Sequence, residues 1–139
     1  PWMLQGEYTR NLVRTKDGER SYAASYFQLS YFVTGESRPY NRASGTFGNL
    51  VPKRLYHWGD EPGGALELAV RLSAIDLESG DYQGGSQHNI TLGATWYPRH
   101  NVRMRFNYIN GQVQAVGSSP SSRAKGRVNI VQAGVAFNF

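Results

Sequence analysis

The chain has 139 residues, with 15 Lys and Arg against 10 Asp and Glu for a net charge of +5, and a mean hydropathy of −0.52. So polar an average, with no run near the ~18 consecutive apolar residues that a membrane helix needs, excludes a helical membrane bundle. Cys is absent and the three His, at 57, 88 and 100, lack any HxxH or HExxH spacing, so no disulfide, metal centre or cofactor is expected.

The remaining composition is that of a β protein, with 13% aromatic residues, nine Tyr and 16 Gly. A first strand is predicted over about 2–14. The turn signal Lys16-Asp17-Gly18-Glu19 follows, and a second strand over 21–34 carries Tyr26, Phe27, Tyr31 and Phe32, which makes the pair a hairpin. Residues 35–64, rich in Gly, Pro and charge, break the alternation and read as a long loop. Four more strands are expected over about 65–77, 87–97, 102–113 and 127–139. Lengths of this order suit tilted strands that cross a bilayer, for which ~9–11 residues suffice in the hydrocarbon.

Alternation assigns two faces. Leu66, Leu68, Val70 and Leu72 oppose Glu67, Ala69, Arg71 and Ser73; Ile90, Leu92, Ala94 and Trp96 oppose Asn89, Thr91, Gly93, Thr95 and Tyr97; Val102, Met104, Phe106 and Tyr108 oppose Arg103, Arg105 and Asn107. The second strand is less clean, because Phe32 shares a side with Gln28 and Ser30. The last strand, with apolar residues at 131, 133, 135, 137 and 139, reads as a barrel strand that turns one side to lipid and the other to water. Low hydropathy is compatible with spanning, since only every second residue faces lipid. An Arg at the midplane on the lipid side costs about 2–4 kcal/mol, which assigns Arg71, Arg103 and Arg105 to the interior.

The chain opens on Pro1 with no export signal and is expected to be the C-terminal piece of a longer exported protein. With the last strand ending in the periplasm, Pro98-Arg99-His100-Asn101 becomes a short periplasmic turn and 78–86 and 114–126 become external loops. The 35–64 stretch is then periplasmic and too long for a simple turn, so it is expected to fold back into the barrel mouth. Trp96, Tyr97 and Phe139 at one end, and Tyr22 and Tyr82 at the other, are expected in interfacial girdles.

Several segments in order, Tyr31-Phe32-Val33-Thr34-Gly35-Glu36-Ser37-Arg38-Pro39-Tyr40, Gly45-Thr46-Phe47-Gly48, Leu66-Glu67-Leu68-Ala69-Val70-Arg71 and Asn89-Ile90-Thr91-Leu92-Gly93-Ala94-Thr95-Trp96-Tyr97-Pro98, resemble the C-terminal part of the phosphate-selective porin O and P family. The resemblance implies an all-β fold, the last six strands of a sixteen-stranded antiparallel transmembrane barrel, as a homotrimer in the bacterial outer membrane. It implies passive passage of small anions, phosphate or polyphosphate, past basic residues. By the same resemblance Phe139 is the terminal aromatic signal read by the barrel-assembly machinery.

The residues expected to line the pore and attract anions are Arg71, Arg103 and Arg105 on the interior faces, with Arg42 and Lys53 in the long segment; Arg38 and Arg54 are further basic residues there. Guanidinium matches phosphate oxygens two at a time and Lys acts as a point charge. Each has a plainer reading: Arg71 paired with Glu67 to stiffen the wall, Arg103 and Arg105 at the rim meeting water or headgroups, Lys53 a solvated loop charge. No GxSxG, Walker or HExxH motif supports an enzyme, and charges spread among acids do not support nucleic-acid binding. Two alternatives stand: a soluble β-sandwich binding module, whose dry interior would hold Leu68, Leu92, Phe106 and Phe137, and a barrel that passes sugars or dicarboxylates.

Overall fold

The computed structural model describes residues 1–16, 18–58, 63–116 and 123–138. In chain order the strands are β1 (Trp2–Thr15), β2 (Gly18–Phe32), β3 (Tyr40–Asn41), β4 (Thr46–Phe47), β5 (Ala65–Ser79), β6 (Tyr82–Arg99), β7 (Val102–Val116) and β8 (Arg123–Phe137). Six of them form one antiparallel sheet in the order β1-β2-β5-β6-β7-β8, and β3 pairs with β4 in a short ribbon of its own. The large sheet is a meander with two open edges. The strands are longer than alternation alone suggests. The expected external loop 78–86 contracts to a Gly80-Asp81 turn, because β5 and β6 go on pairing through Glu78–Gln83 and Ser79–Tyr82 beyond a bulge at Asp76. The Arg99–Val102 turn lies where expected. Phe139, the expected assembly signal, lies outside the described residues.

The register fixes the faces. Directly paired residues share a side, so Leu4, Leu29, Val70, Leu92, Tyr108 and Val131 form one outward row across all six strands. The row below it holds Trp2, Tyr31, Leu68, Ala94, Phe106 and Ala133. Leu68, Leu92, Phe106 and Phe137 are 46%, 53%, 51% and 61% exposed, so this apolar face covers no dry interior. A sandwich would lay a second sheet on it, and the other sheet among the described residues is only the β3–β4 ribbon. Among the described residues nothing therefore covers the apolar face as a sandwich partner would.

The upper edge of the apolar belt climbs across the sheet. It falls at Val131 and Tyr108 on β8 and β7, at Ile90, Leu72 and Phe27 on β6, β5 and β2, and at Tyr8 on β1, which is two outward positions further along the register than Val131. Four residues at ~3.3 Å against five strand spacings of ~4.8 Å give a slope of about 30°. A level belt on this sheet thus requires tilted strands, as barrel closure does. Above the belt, β7 and β8 exchange polarity: Asn110, Gln112, Gln114, Lys125, Arg127 and Asn129 face outward, while Ile109, Val113, Val128 and Ile130 face inward. Outward positions beyond the belt are not required to be apolar.

Residues 33–58, with Gly63 and Gly64, pack against the end of the sheet where β1 begins and β8 ends. Leu50, Phe32, Ala65 and Tyr97 form a buried cluster. This resolves the irregularity of β2: Phe32 sits on the polar face because Leu50 and its neighbours cover it to 1% exposure. Thr34 Oγ1 donates to Glu36 and accepts from Leu66 N, and Lys53 N donates to Glu36 Oε1 at 3.2 Å. On the outer side Tyr56 meets Trp96 edge-on at 5.1 Å and Trp96 Nε1 donates to Gly63 O. Trp96 thus stays in the belt, as a girdle residue would. Tyr97 does not, because it faces inward and is 6% exposed. Tyr22 is likewise on the inner face, edge-on to Tyr82 at 6.1 Å, with the Arg20 guanidinium 4.4 Å from the Tyr82 ring. A period-two pattern cannot separate a girdle aromatic from one that packs inside the wall.

Candidate functional site

The inner face is built from the alternate residues left after the belt is assigned. Glu67, Thr95 and Arg105 share one row, Ala69, Gly93 and Asn107 the next, and Arg71, Thr91 and Ile109 the third. Ala69 and Gly93 leave the middle row nearly bare, and a Cβ at Gly93 would stand 2.9 Å from Asn107 Oδ1. The result is a hollow of about 210 Å³ lined by Gln28, Arg38, Glu67, Ala69, Arg71, Thr91, Gly93, Thr95, Arg105 and Asn107. Three guanidinium groups and one carboxylate line it, so its charge is 3 − 1 = +2.

Arg38 enters the hollow from the 33–64 segment. Its Nη2 donates to Glu67 Oε2 at 2.6 Å and to Tyr97 OH at 2.6 Å, and Tyr97 OH donates to Glu67 Oε2 at 3.0 Å. The Arg38 Nε is buried without a hydrogen-bond partner among the described residues. Burial works against its positive charge, but the Glu67 carboxylate and the Tyr97 hydroxyl outweigh that cost, and its pKa is held above the ordinary arginine value. Arg38 and Glu67 are 29 residues apart, so only the fold of the intervening segment brings them together.

Arg71 is placed as the alternation requires, but its partner differs from the plain expectation. It lies over the Tyr26 ring at 4.0 Å, while Glu67 is taken by Arg38. Stacking fixes the guanidinium plane and leaves its N–H edge available to an anion. Arg105 lines this hollow and, with Arg103, Asn107 and Gln132, a second one of about 540 Å³ along β7 and β8. Arg42 is exposed in the turn between β3 and β4 and lines neither hollow. Lys53 gives its Nζ to Gly35 O at 2.7 Å, which ties the segment to its own start. The structure thus gathers Arg71 and Arg105 with Arg38, sets Arg103 beside them, and leaves Arg42 and Lys53 apart. Glu67, Tyr97 and Tyr26 are the partners that the alternation could not identify.

A meander of staggered strands with an apolar outer belt and a basic, hollowed inner face has the alternation of a membrane-barrel wall. The sequence model of the family described as phosphate-selective porin O and P matches residues 1–139, the whole chain, and the chain belongs to that family. It is a family of channels rather than of enzymes. The chain is 30% identical over 121 residues to an uncharacterized protein of Caulobacter vibrioides, a match that covers 86% of this chain and 23% of the relative. The chain therefore spans less than a quarter of that protein's length. No solved structure matches it.

Proposed function

We propose that this chain supplies the last six strands of a sixteen-stranded, trimeric outer-membrane porin that passes small anions, phosphate or polyphosphate, by passive diffusion. The observation that carries the reading is the hollow in which Arg38, Arg71 and Arg105 converge with Glu67 as the one carboxylate among the lining residues. Fixed positive charge on a confined wall concentrates anions, and several weak sites in series let them leave. The length of the relative supports the strand count: 121/0.23 gives roughly 525 residues, ample for ten strands besides these six. The termini end is then periplasmic, the 33–64 segment narrows the exit, and Arg42 and Lys53 stand in its approach. Lipid meets the belt.

The test is made on the full-length porin in planar bilayers. The reversal potential in a KCl gradient should show anion preference, and added phosphate should reduce the chloride current. Replacing both Arg103 and Arg105 with Glu should lower the anion preference several-fold. A cation-preferring wild-type channel, or an unchanged preference in the variant, would overturn the assignment. Unimpeded chloride current with sugar or dicarboxylate block would favour the other solutes.

A further inference from the structure

The outer face above the belt carries a second site. Small side chains at Ser25 and Ala74 open an outward hollow of about 450 Å³, walled below by the row of Phe27, Leu72 and Ile90, which Asn110 continues on β7, with His88 and Gln112 continuing the Ser25 and Ala74 row as its upper rim. The register continues this upper rim onto β8, where Gln112 pairs with Arg127 and Gln114 with Lys125, both basic residues exposed and outward. Arg127 therefore lies two strands from His88, about 10 Å away across the sheet. No acidic residue faces outward on β6, β7 or β8 in these two rows; Asp76 on β5 is the nearest by register.

The edge of the hydrocarbon is marked just below. The Tyr108 ring sits in the belt row beside Val131, while its hydroxyl donates to Asn129 Oδ1 in the next row, which also accepts from Asn110 Nδ2 at 2.7 Å. A Tyr with its ring in lipid and its hydroxyl in a polar network belongs at a headgroup boundary. The basic residues thus stand one to two rows above that boundary, at headgroup height.

We infer that this surface seats a phosphorylated lipid of the outer leaflet, with an acyl chain along Phe27, Leu72 and Ile90 and the phosphate held by Arg127 and Lys125, with His88 and Gln112 as further donors. A soluble anion would use the charges but not the apolar trough, and an uncharged lipid the trough but not the charges. Only a molecule with both parts fills both. The inference rests on the outward face being the lipid face, and is independent of what the pore conducts.

The probe is dioleoyl phosphatidic acid, titrated onto the full-length detergent-solubilised porin and followed by native mass spectrometry, with dioleoyl phosphatidylcholine as the uncharged comparison. The wild type should retain phosphatidic acid at least tenfold better than phosphatidylcholine. The double variant Lys125→Gln/Arg127→Gln should lose that preference, and Ser25→Phe, which fills the trough and keeps the charges, should reduce retention as well. Equal retention of both lipids, unchanged retention in either variant, or displacement by millimolar inorganic phosphate as effective as by lipid would overturn the site. A channel that conducts normally and retains no phosphatidic acid sinks this inference alone; a protein that stays soluble without detergent sinks the porin reading with it. Heat-modifiable gel mobility verifies that each variant is folded before it is scored.

Discussion

Leu92 and Thr91 are adjacent in sequence and face opposite solvents, which makes them a sharp pair of probes. Leu92 lies in the row between Val70 and Tyr108, near the middle of the β6 part of the belt that runs from Trp96 to Ile90. An Arg on the lipid face near the midplane costs about 2–4 kcal/mol. At ~1.4 kcal/mol per tenfold, Leu92→Arg should lower the folding constant of the intact porin by roughly 30- to 700-fold. Thr91 pairs with Arg71 and Ile109 on the inner face. There Thr91→Arg meets one like charge directly across, worth about 0.2–1 kcal/mol, and otherwise water. The measurement is urea-dependent folding into phosphatidylcholine vesicles, read by heat-modifiable mobility and tryptophan fluorescence. The reasoning is refuted if Thr91→Arg costs as much as Leu92→Arg, because then the two sides of the sheet are not the two media assigned to them.

Three further outcomes are expected. Glu67→Gln keeps the shape but removes the carboxylate shared by Arg38 and Tyr97, and should destabilise the packing of the 33–64 segment by about 1–3 kcal/mol, seen as faster amide exchange at Leu50 and Lys53. Burial pushes the Glu36 carboxyl upward, but the Thr34 hydroxyl, the Lys53 amide and the Lys53 charge outweigh it and hold its pKa below the ordinary 4.5. Because the folded value is the lower one, this stabilisation is fully present above pH ~4.5 and disappears as pH falls through the folded pKa. The protection factor of Lys53 N–H, with intrinsic exchange divided out, should therefore fall in acid in the wild type and lose that pH dependence in Glu36→Gln. Gly64 has φ +92° and a Cβ there would stand 2.5 Å from Trp96 Nε1 and 2.8 Å from Tyr97 O. Gly64→Ala should cost more than about 1 kcal/mol and lower the urea midpoint of the folded porin.

What the sequence made legible was the part set by solvent. Positions 66–72, 90–96, 102–108 and 131–137 alternate between an apolar and a polar face, and each kept its predicted side. The inward placement of Arg71, Arg103 and Arg105 followed from the same alternation. What could not be read was set by contacts between distant residues. Phe32 broke the pattern of β2 because Leu50, 18 positions on, covers it, and Tyr97 left the girdle because Arg38 and Glu67 hold its hydroxyl inside. The extended turn at Gly80-Asp81 was hidden by polar residues on both sides of β5 and β6 above the belt, where periodicity carries no signal. Arg38, one basic residue among several in a segment without alternation, gained its role from the way that segment folds.

The burial of Phe32 and Leu50 also decides what kind of fitting the 33–64 segment is. Swinging it aside would wet both side chains, at about 1.5–3 kcal/mol each, so a released arrangement would be present in about one molecule in a hundred or fewer. In the proposed channel the exit is therefore framed by a fixed sill rather than a hinged door, and regulation of flow there would have to act on the charges along it, not on its position.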